Sequence, residues 1–278
     1  MEVASRIASL LLHLKEKKPL IHHITNYVTA NDCANITLAI GASPVMADDI
    51  NEVRDMTALS KALVINLGTL SIPRLDSMLA AAEKANELGI PIVLDPVGVG
   101  ATAFRLEAAK RIMNEIKLSV IRGNLSEIKA LYGMNVQSKG VDASEALDFC
   151  KDEASEAISV AKALACELEV SVAVTGAVDL VTDGTTLFRV ENGNSLMSKV
   201  TGTGCMCTSL IASFLGAGSD SLTAALAGVV SMGIAGDIAY ERLDVTFEGT
   251  GSLKVYILDA ISKLGPEDMV KKGKIYEM

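Results

Sequence analysis

The chain has 278 residues, with 25 basic and 34 acidic side chains giving a net charge of −9; half of its residues are hydrophobic, yet only 4% are aromatic and none is Trp. That apolar content excludes a disordered chain. The negative balance argues against a nucleic-acid partner, which needs a basic face, and the shortage of aromatics argues against a base-stacking single-strand binder.

Taken in chain order, Val3, Ile7, Leu10, Leu11 and Leu14 fall on one helical face. Most of the nearby positive charges follow this stretch, the wrong polarity for a secretory signal. His22-His23-Ile24-Thr25-Asn26 reads as a polar stretch leading into a helix, its histidines in capping or loop roles and without a third ligand for a metal. Short apolar strands are expected at Ala42–Met46, Ala62–Asn66, Pro91–Leu94, Ser119–Ile121 and Val170–Val174. Helices are expected between them: Asp48–Lys61, capped by Asp48 or Asp49; Pro73–Leu88, ended by Gly89; Thr102–Ile116; one starting after Asn124; and one covering roughly Ala143–Glu169. Alternating strands and helices make an α/β fold with a central, mostly parallel sheet and helices on both faces.

Leu180–Val190 breaks the rhythm, because Asp183-Gly184 between two β-prone runs signals a hairpin. Helices follow at Cys205–Leu215, Ser221–Arg242 and Ser252–Leu264. The uncharged runs Val200–Ser219 and Ser221–Gly236 have the length of a membrane span. Their Gly, Thr, Ser and Ala content makes them buried core helices instead, so no membrane association is expected. No repeat or long linker appears, and one domain over residues 1–278 is expected. The five cysteines (Cys33, Cys150, Cys166, Cys205 and Cys207) are odd in number and scattered, which suits free thiols in the cytoplasm rather than a disulfide framework.

Ligands of open parallel sheets bind beyond the carboxyl ends of the strands, which directs attention to Asn66–Thr69, Asp95–Gly100, Arg122–Glu127, Thr175-Gly176 and the turn Lys199–Cys207. Thr201-Gly202-Thr203-Gly204-Cys205 either opens a helix whose free N–H groups suit a phosphate or is a Gly-rich turn that only lets the helix pack closely. It lacks the Lys of a P-loop and the third glycine of a dinucleotide fingerprint. Asp95, aimed by Pro96 and Gly98, either meets Mg²⁺ or only bonds its own turn. Asn124 and Glu127 either form a capping box or place Glu127 beside Asp95 on a metal, with Arg122 before them positioned for phosphate oxygens. Cys205, at a helix N-terminus, is expected to have a depressed pKa, whereas Cys207 lies on another face.

These residues resemble the hydroxyethylthiazole kinase family of the ribokinase-like superfamily. The likeness runs in order through His23-Ile24-Thr25-Asn26-Tyr27-Val28, Gly41–Met46, Ile65–Thr69, Leu94–Gly98, Ile121–Asn124 with Glu127, Val174–Gly176 and Thr201–Cys205. The resemblance implies a ribokinase-like three-layer sandwich and ATP- and Mg²⁺-dependent phosphorylation of the primary hydroxyl of 4-methyl-5-(2-hydroxyethyl)thiazole in thiamin salvage. The alternative acceptor is hydroxymethylpyrimidine or another small alcohol. It also implies a homotrimer with active sites at subunit interfaces. Carried over, Met46, Gly202, Asn26 and Gly68 face the thiazole, Arg122, Thr175 and Gly204 bind ATP, and Asp95 and Glu127 serve Mg²⁺. Cys205 is the candidate catalytic residue, standing where most ribokinase relatives carry an Asp base. The stretch Asp148–Glu156 reads as a surface insertion, and Glu248–Ser252 departs from the family's glycine-proline-glycine-serine wording.

Overall fold

A computed structural model describes residues 2–138 and 153–278. In chain order the elements are α1 (Glu2–Lys17), β1 (Leu20–Ile24), α2 (Ala30–Ile40), β2 (Ser43–Met46), α3 (Val53–Leu59), β3 (Ala62–Asn66) and α4 (Ile72–Leu88). Next come β4 (Ile92–Asp95), α5 (Ala103–Glu115), β5 (Val120–Asn124), α6 (Leu125–Ser138), α7 (Glu153–Leu168), β6 (Ser171–Thr175), β7 (Asp179–Thr182) and β8 (Leu187–Val190). The chain ends with α8 (Thr203–Gly216), α9 (Ser221–Arg242), α10 (Thr250–Lys263), α11 (Pro266–Lys272) and β9 (Ile275–Glu277).

One nine-stranded sheet runs in the order β2-β1-β3-β4-β5-β6-β7-β8-β9. The strands from β2 to β6 are parallel, and β7, β8 and β9 extend the sheet antiparallel. Every residue of β3 and β4 is buried, as befits strands covered on both faces. Alternate side chains feed two cores. Val64, Val93, Val120 and Ala173 join α1, α2, α8, α9 and α10, while Leu63, Ile65, Ile92, Leu94, Ile121 and Val172 join α4, α5, α6 and α7. The result is the three-layer sandwich expected from the alternating pattern.

The expected strands fall within a residue or a few of the observed ones, and the Asp183-Gly184 hairpin forms with Gly184 at φ +95°. Two differences have local causes, and one expected segment lies outside the described residues. The helix expected from Asp48 begins only at Val53, because Asp49 spends its carboxylate on an Asx turn, accepting from the Asn51 N–H at 2.9 Å. The start of the expected helix from Ala143, and most of the Asp148–Glu156 stretch, lie outside the described residues. His22 and His23 sit in the buried strand β1, in place of the capping or loop roles expected for them.

Both histidines are satisfied there, on opposite faces of the sheet. His22 donates from Nε2 to the Ala47 carbonyl (2.7 Å) and faces Thr57 of α3 through Nδ1 (2.9 Å). His23 donates from Nδ1 to the Ile21 carbonyl (3.1 Å), which leaves Nε2 to accept from Ser209 of α8 (3.2 Å). Burial lowers the pKa of both, that of His23 to about 4.

α8 and α9 are buried along most of their length. α9 is long and apolar enough to cross a membrane by length and composition, yet 83% of its apolar window is covered by the rest of the protein. The two helices pack closely through Gly228, where a Cβ would come within 2.5 Å of Ile211 Cγ1 and 2.7 Å of its backbone nitrogen. Gly228→Ala is therefore expected to cost about 1–3 kcal/mol by overpacking, read as a lower denaturant midpoint. A second expectation concerns pH. A histidine whose folded pKa is depressed stabilises fully above its unfolded value and loses that contribution as pH falls towards the folded one. For His23 the window runs from its ordinary value of 6.5 down to about 4. The unfolding free energy of wild type relative to His23→Asn should fall by roughly 1.4 kcal/mol per pH unit there, and a pH-independent difference would refute the assignment.

Candidate functional site

The parallel strands end on one edge of the sheet, and β3, β4, β5 and β6 there present Asn66, Asp95, Asn124 and Thr175. The N-terminus of α8 closes over this edge. Gly202, at φ +90°, makes the turn into the helix, and no side chain caps it. The first N–H to return to the helix is that of Met206, bonded to the Gly202 carbonyl, so the amides of the first turn point outward without helical acceptors. Gly202 packs against Thr29 and Asp32, and Asp32 is held by Lys254 at 2.7 Å.

Asp95 is fully buried. Its Oδ2 accepts from Asn66 Nδ2 (3.0 Å) and Thr208 Oγ1 (2.8 Å) and lies 3.7 Å from Arg122 Nη1. Its Oδ1 has no hydrogen-bond partner. Burial pushes this carboxyl above its ordinary range against the pull of Arg122. Arg122 bonds Thr175 Oγ1 through Nη2, and Gly204 approaches it so closely that any Cβ there would run into the guanidinium. Arg122, Thr175 and Gly204 are thus brought together. They line a cleft of about 650 Å³ with Asn124, Asp179 and Cys207. Asp179 accepts from the Gly176 N–H at 2.8 Å, and burial raises its pKa to about 6.

On the other side of α8, Cys205 Sγ receives Asn66 Nδ2 at 3.3 Å and Asn26 Nδ2 at 3.5 Å. Gly68 lies against Asn26, where a Cβ would sit 2.8 Å from Asn26 Cβ. The depressed pKa expected for Cys205 is not found. Burial raises it, and the nearby Asp95 charge adds to the rise, outweighing the bonds from Thr29, Asn66 and Asn26. Cys207 points into the cleft instead, on another face of the helix as expected, and its thiol is pushed up to about 12 by burial.

Glu127 forms the full capping box, with Oε2 accepting from the Asn124 N–H (2.8 Å) and Asn124 Oδ1 accepting from the Glu127 N–H (2.9 Å). Its Oε1 accepts from the Gly98 N–H (2.8 Å), which ties the loop after Asp95 to the start of α6. Met46 ends the edge strand β2, paired with His23 and 38% exposed, outside the bonded group around Cys205. The sequence reading gave no role to Asn66, Thr208 or Asp179. Asn66 carried a usable signal, being a polar residue that ends a wholly apolar strand. Among the described residues no group of three or more His, Cys, Asp or Glu gathers to hold a metal.

The chain matches the Hydroxyethylthiazole kinase family over residues 11–267. A hydroxyethylthiazole kinase of Clostridium beijerinckii is 52% identical over 277 residues, covering all of this chain and 99% of the relative. The solved structure of a hydroxyethylthiazole kinase protein from Pyrococcus horikoshii superposes with a TM-score of 0.86 at 40% identity, covering 98% of this chain and 99% of that one. A pyridoxal kinase from Staphylococcus aureus, solved in complex with ADP, has a TM-score of 0.62 at 13% identity over 94% of this chain and 99% of its own, a likeness of fold alone. With the family match spanning nearly every element that builds the cleft and the Cys205 cluster, this chain belongs to the hydroxyethylthiazole kinase family.

Proposed function

We propose that the protein transfers the γ-phosphoryl group of ATP to the primary hydroxyl of 4-methyl-5-(2-hydroxyethyl)thiazole, as one kinase domain spanning the chain. The observation that carries this reading is the uncapped N-terminus of α8, set between a cleft holding Arg122 and Thr175 and a cluster holding Cys205 and Asn26. In phosphoryl transfer the transition state is loose, and positioning and charge neutralisation do most of the catalysis. The free amides of Thr203, Gly204 and Cys205 and the Arg122 guanidinium supply donors for phosphate oxygens. Arg122, Thr175 and Gly204 take the nucleotide; Met46, Asn26, Gly68 and Gly202 face the thiazole.

The alcohol oxygen attacks the γ-phosphorus, a P–O bond forms, the bond to the β–γ bridging oxygen breaks, and ADP leaves with the bridging electrons. In its thiolate form Cys205 takes the hydroxyl proton late; as a thiol it only orients the hydroxyl, whose proton then leaves on an oxygen of the transferred phosphoryl group. No phosphoryl group rests on the sulfur. The unpartnered Oδ1 of Asp95 suits a hard cation. Mg²⁺ held there, with Glu127 at its side, would neutralise phosphate charge.

A homotrimer with its sites at the subunit interfaces completes the reading. Tyr27, Val28 and Met46 support it as exposed apolar side chains around the end of the edge strand β2. The free thiols among the described residues suit the cytoplasm.

The deciding experiment is an ADP-release assay with ATP and the thiazole alcohol, run beside hydroxymethylpyrimidine. Turnover on the thiazole is expected, and faster turnover on the pyrimidine would overturn the substrate assignment. For wild type, kcat is expected to climb with pH as the thiolate fraction of Cys205 grows. Cys205→Ala should keep measurable turnover, at about 10²-fold or more below wild type, with that climb gone. A burst of phosphorylated protein, or complete inactivity of a folded variant, would overturn the role given to the thiol. Arg122→Ala should raise KM for ATP by roughly tenfold or more while leaving KM for the thiazole within about twofold. Equal effects on the two would contradict the nucleotide assignment.

A further inference from the structure

Asn66 is the last residue of β3, only 1% exposed, and it uses its side-chain amide in four directions. Its Oδ1 accepts from the Gly68 N–H at 2.9 Å and from Asn26 Nδ2 at 3.0 Å. A backbone N–H can only donate, so the Gly68 contact fixes which end of the amide is oxygen. The Nδ2 group must then face the other way, towards Asp95 Oδ2 at 3.0 Å and Cys205 Sγ at 3.3 Å. One buried amide therefore touches both the carboxylate and the thiol.

The consequence for the sulfur follows from donor counting. A thiol sulfur offers two lone pairs and one S–H. Here the N–H groups of Asn66 and Asn26 both reach the sulfur, and the Thr29 side chain meets it as well, so the side chains gathered by Asn66 set which way the sulfur faces. Asn26 is itself held in place through Asn66 Oδ1 and through its own Oδ1, which accepts from the N–H (3.1 Å) and hydroxyl (3.1 Å) of Thr29. Replacing Asn66 would thus loosen both donors at once. The same amide stands between Asp95 and Cys205 and donates a hydrogen bond to each, which screens two buried groups that would otherwise share negative charge.

We infer that Asn66 is a positioning residue: its amide fixes the orientation of the Cys205 sulfur towards the alcohol and stabilises negative charge on that sulfur, without touching either substrate. The inference rests on the reading of Cys205 as the group that meets the hydroxyl. It deepens that reading by naming the residue through which the sheet edge controls the thiol.

A double-mutant cycle tests it, with kcat and both KM values measured for wild type, Asn66→Ala, Cys205→Ala and the double variant. Asn66→Ala should lower kcat by about tenfold or more and leave KM for ATP and for the thiazole within about threefold. In the Cys205→Ala background the same replacement should cost no more than about threefold in kcat, because contacting residues that act as a unit are not additive. An equal fold-loss in both backgrounds overturns the inference while leaving the role of Cys205 intact. So does a rise in either KM at unchanged kcat, which would make Asn66 a binding residue. A Cys205→Ala variant with wild-type kcat would instead remove the reading on which the inference rests. Asn66→Ser, which keeps a short polar side chain, carries the same comparison if the alanine variant does not fold. Partial recovery of kcat by serine over alanine is expected, since its hydroxyl restores one donor.

Discussion

A carboxylate with no exposure to water, at the end of a strand covered on both faces, is the constraint around which this site is arranged. Burying Asp95 is costly unless donors reach it. They arrive from three directions: Asn66 from the neighbouring strand, Thr208 from the first turns of α8, and Arg122 from the strand on the other side. Each of these partners brings a second function with it. Asn66 reaches Cys205, Thr208 fixes the helix that carries Cys205, and Arg122 reaches Thr175 and the Gly204 backbone. Solvating one buried charge thus assembles the cleft and the thiol cluster on either side of the same helix N-terminus.

The net charge of −9 fits this economy. A polyanion normally calls for a basic face, yet on the proposed reading the donors for phosphate are backbone N–H groups and one guanidinium that is 12% exposed. Such donors are preorganised by the helix start and by the bonds that hold Arg122, so they need little reorganisation to meet an anion. The acidic remainder of the surface is then free to serve solubility.

How much of this was legible beforehand differs by element. The alternation of apolar strands with helices was plain, because β3 and β4 are runs of Val, Ile, Leu and Ala up to the Asn66 and Asp95 that end them. β1 was not, because two histidines interrupt its apolar run; the pleat sends them to opposite faces, where Thr57 and Ser209 satisfy them. β9 is three residues that follow Lys271, Lys272 and Lys274, and its strand character comes from pairing with β8. At the site, position after a strand was enough to single out Asp95, Arg122 and Thr175. Glu127 remained ambiguous for a good reason, since it does form the capping box. The sign of the Cys205 shift was misread because a helix N-terminus is visible in a sequence whereas the burial that opposes it, and the carboxylate beside it, belong to tertiary structure.

That raised pKa bears on why a thiol stands at position 205. A carboxylate there would share its surroundings with Asp95, and two like charges in a buried site cannot both ionise cheaply. A thiol held neutral at rest avoids the repulsion and can be buried at the head of a helix whose residues Cys205 to Leu215 are all covered. On the proposed reading the cost is population rather than basicity: a thiolate is a stronger base than a carboxylate, but with the pKa raised only a minor thiolate form is there to take a proton. A loose transition state tolerates that cost, because the attacking oxygen becomes strongly acidic only once the new bond to phosphorus is well advanced. On that reading the arrangement trades an acceptor that is always ionised for an uncharged helix start, and relies on the donors gathered around the buried Asp95 to carry the phosphoryl charge.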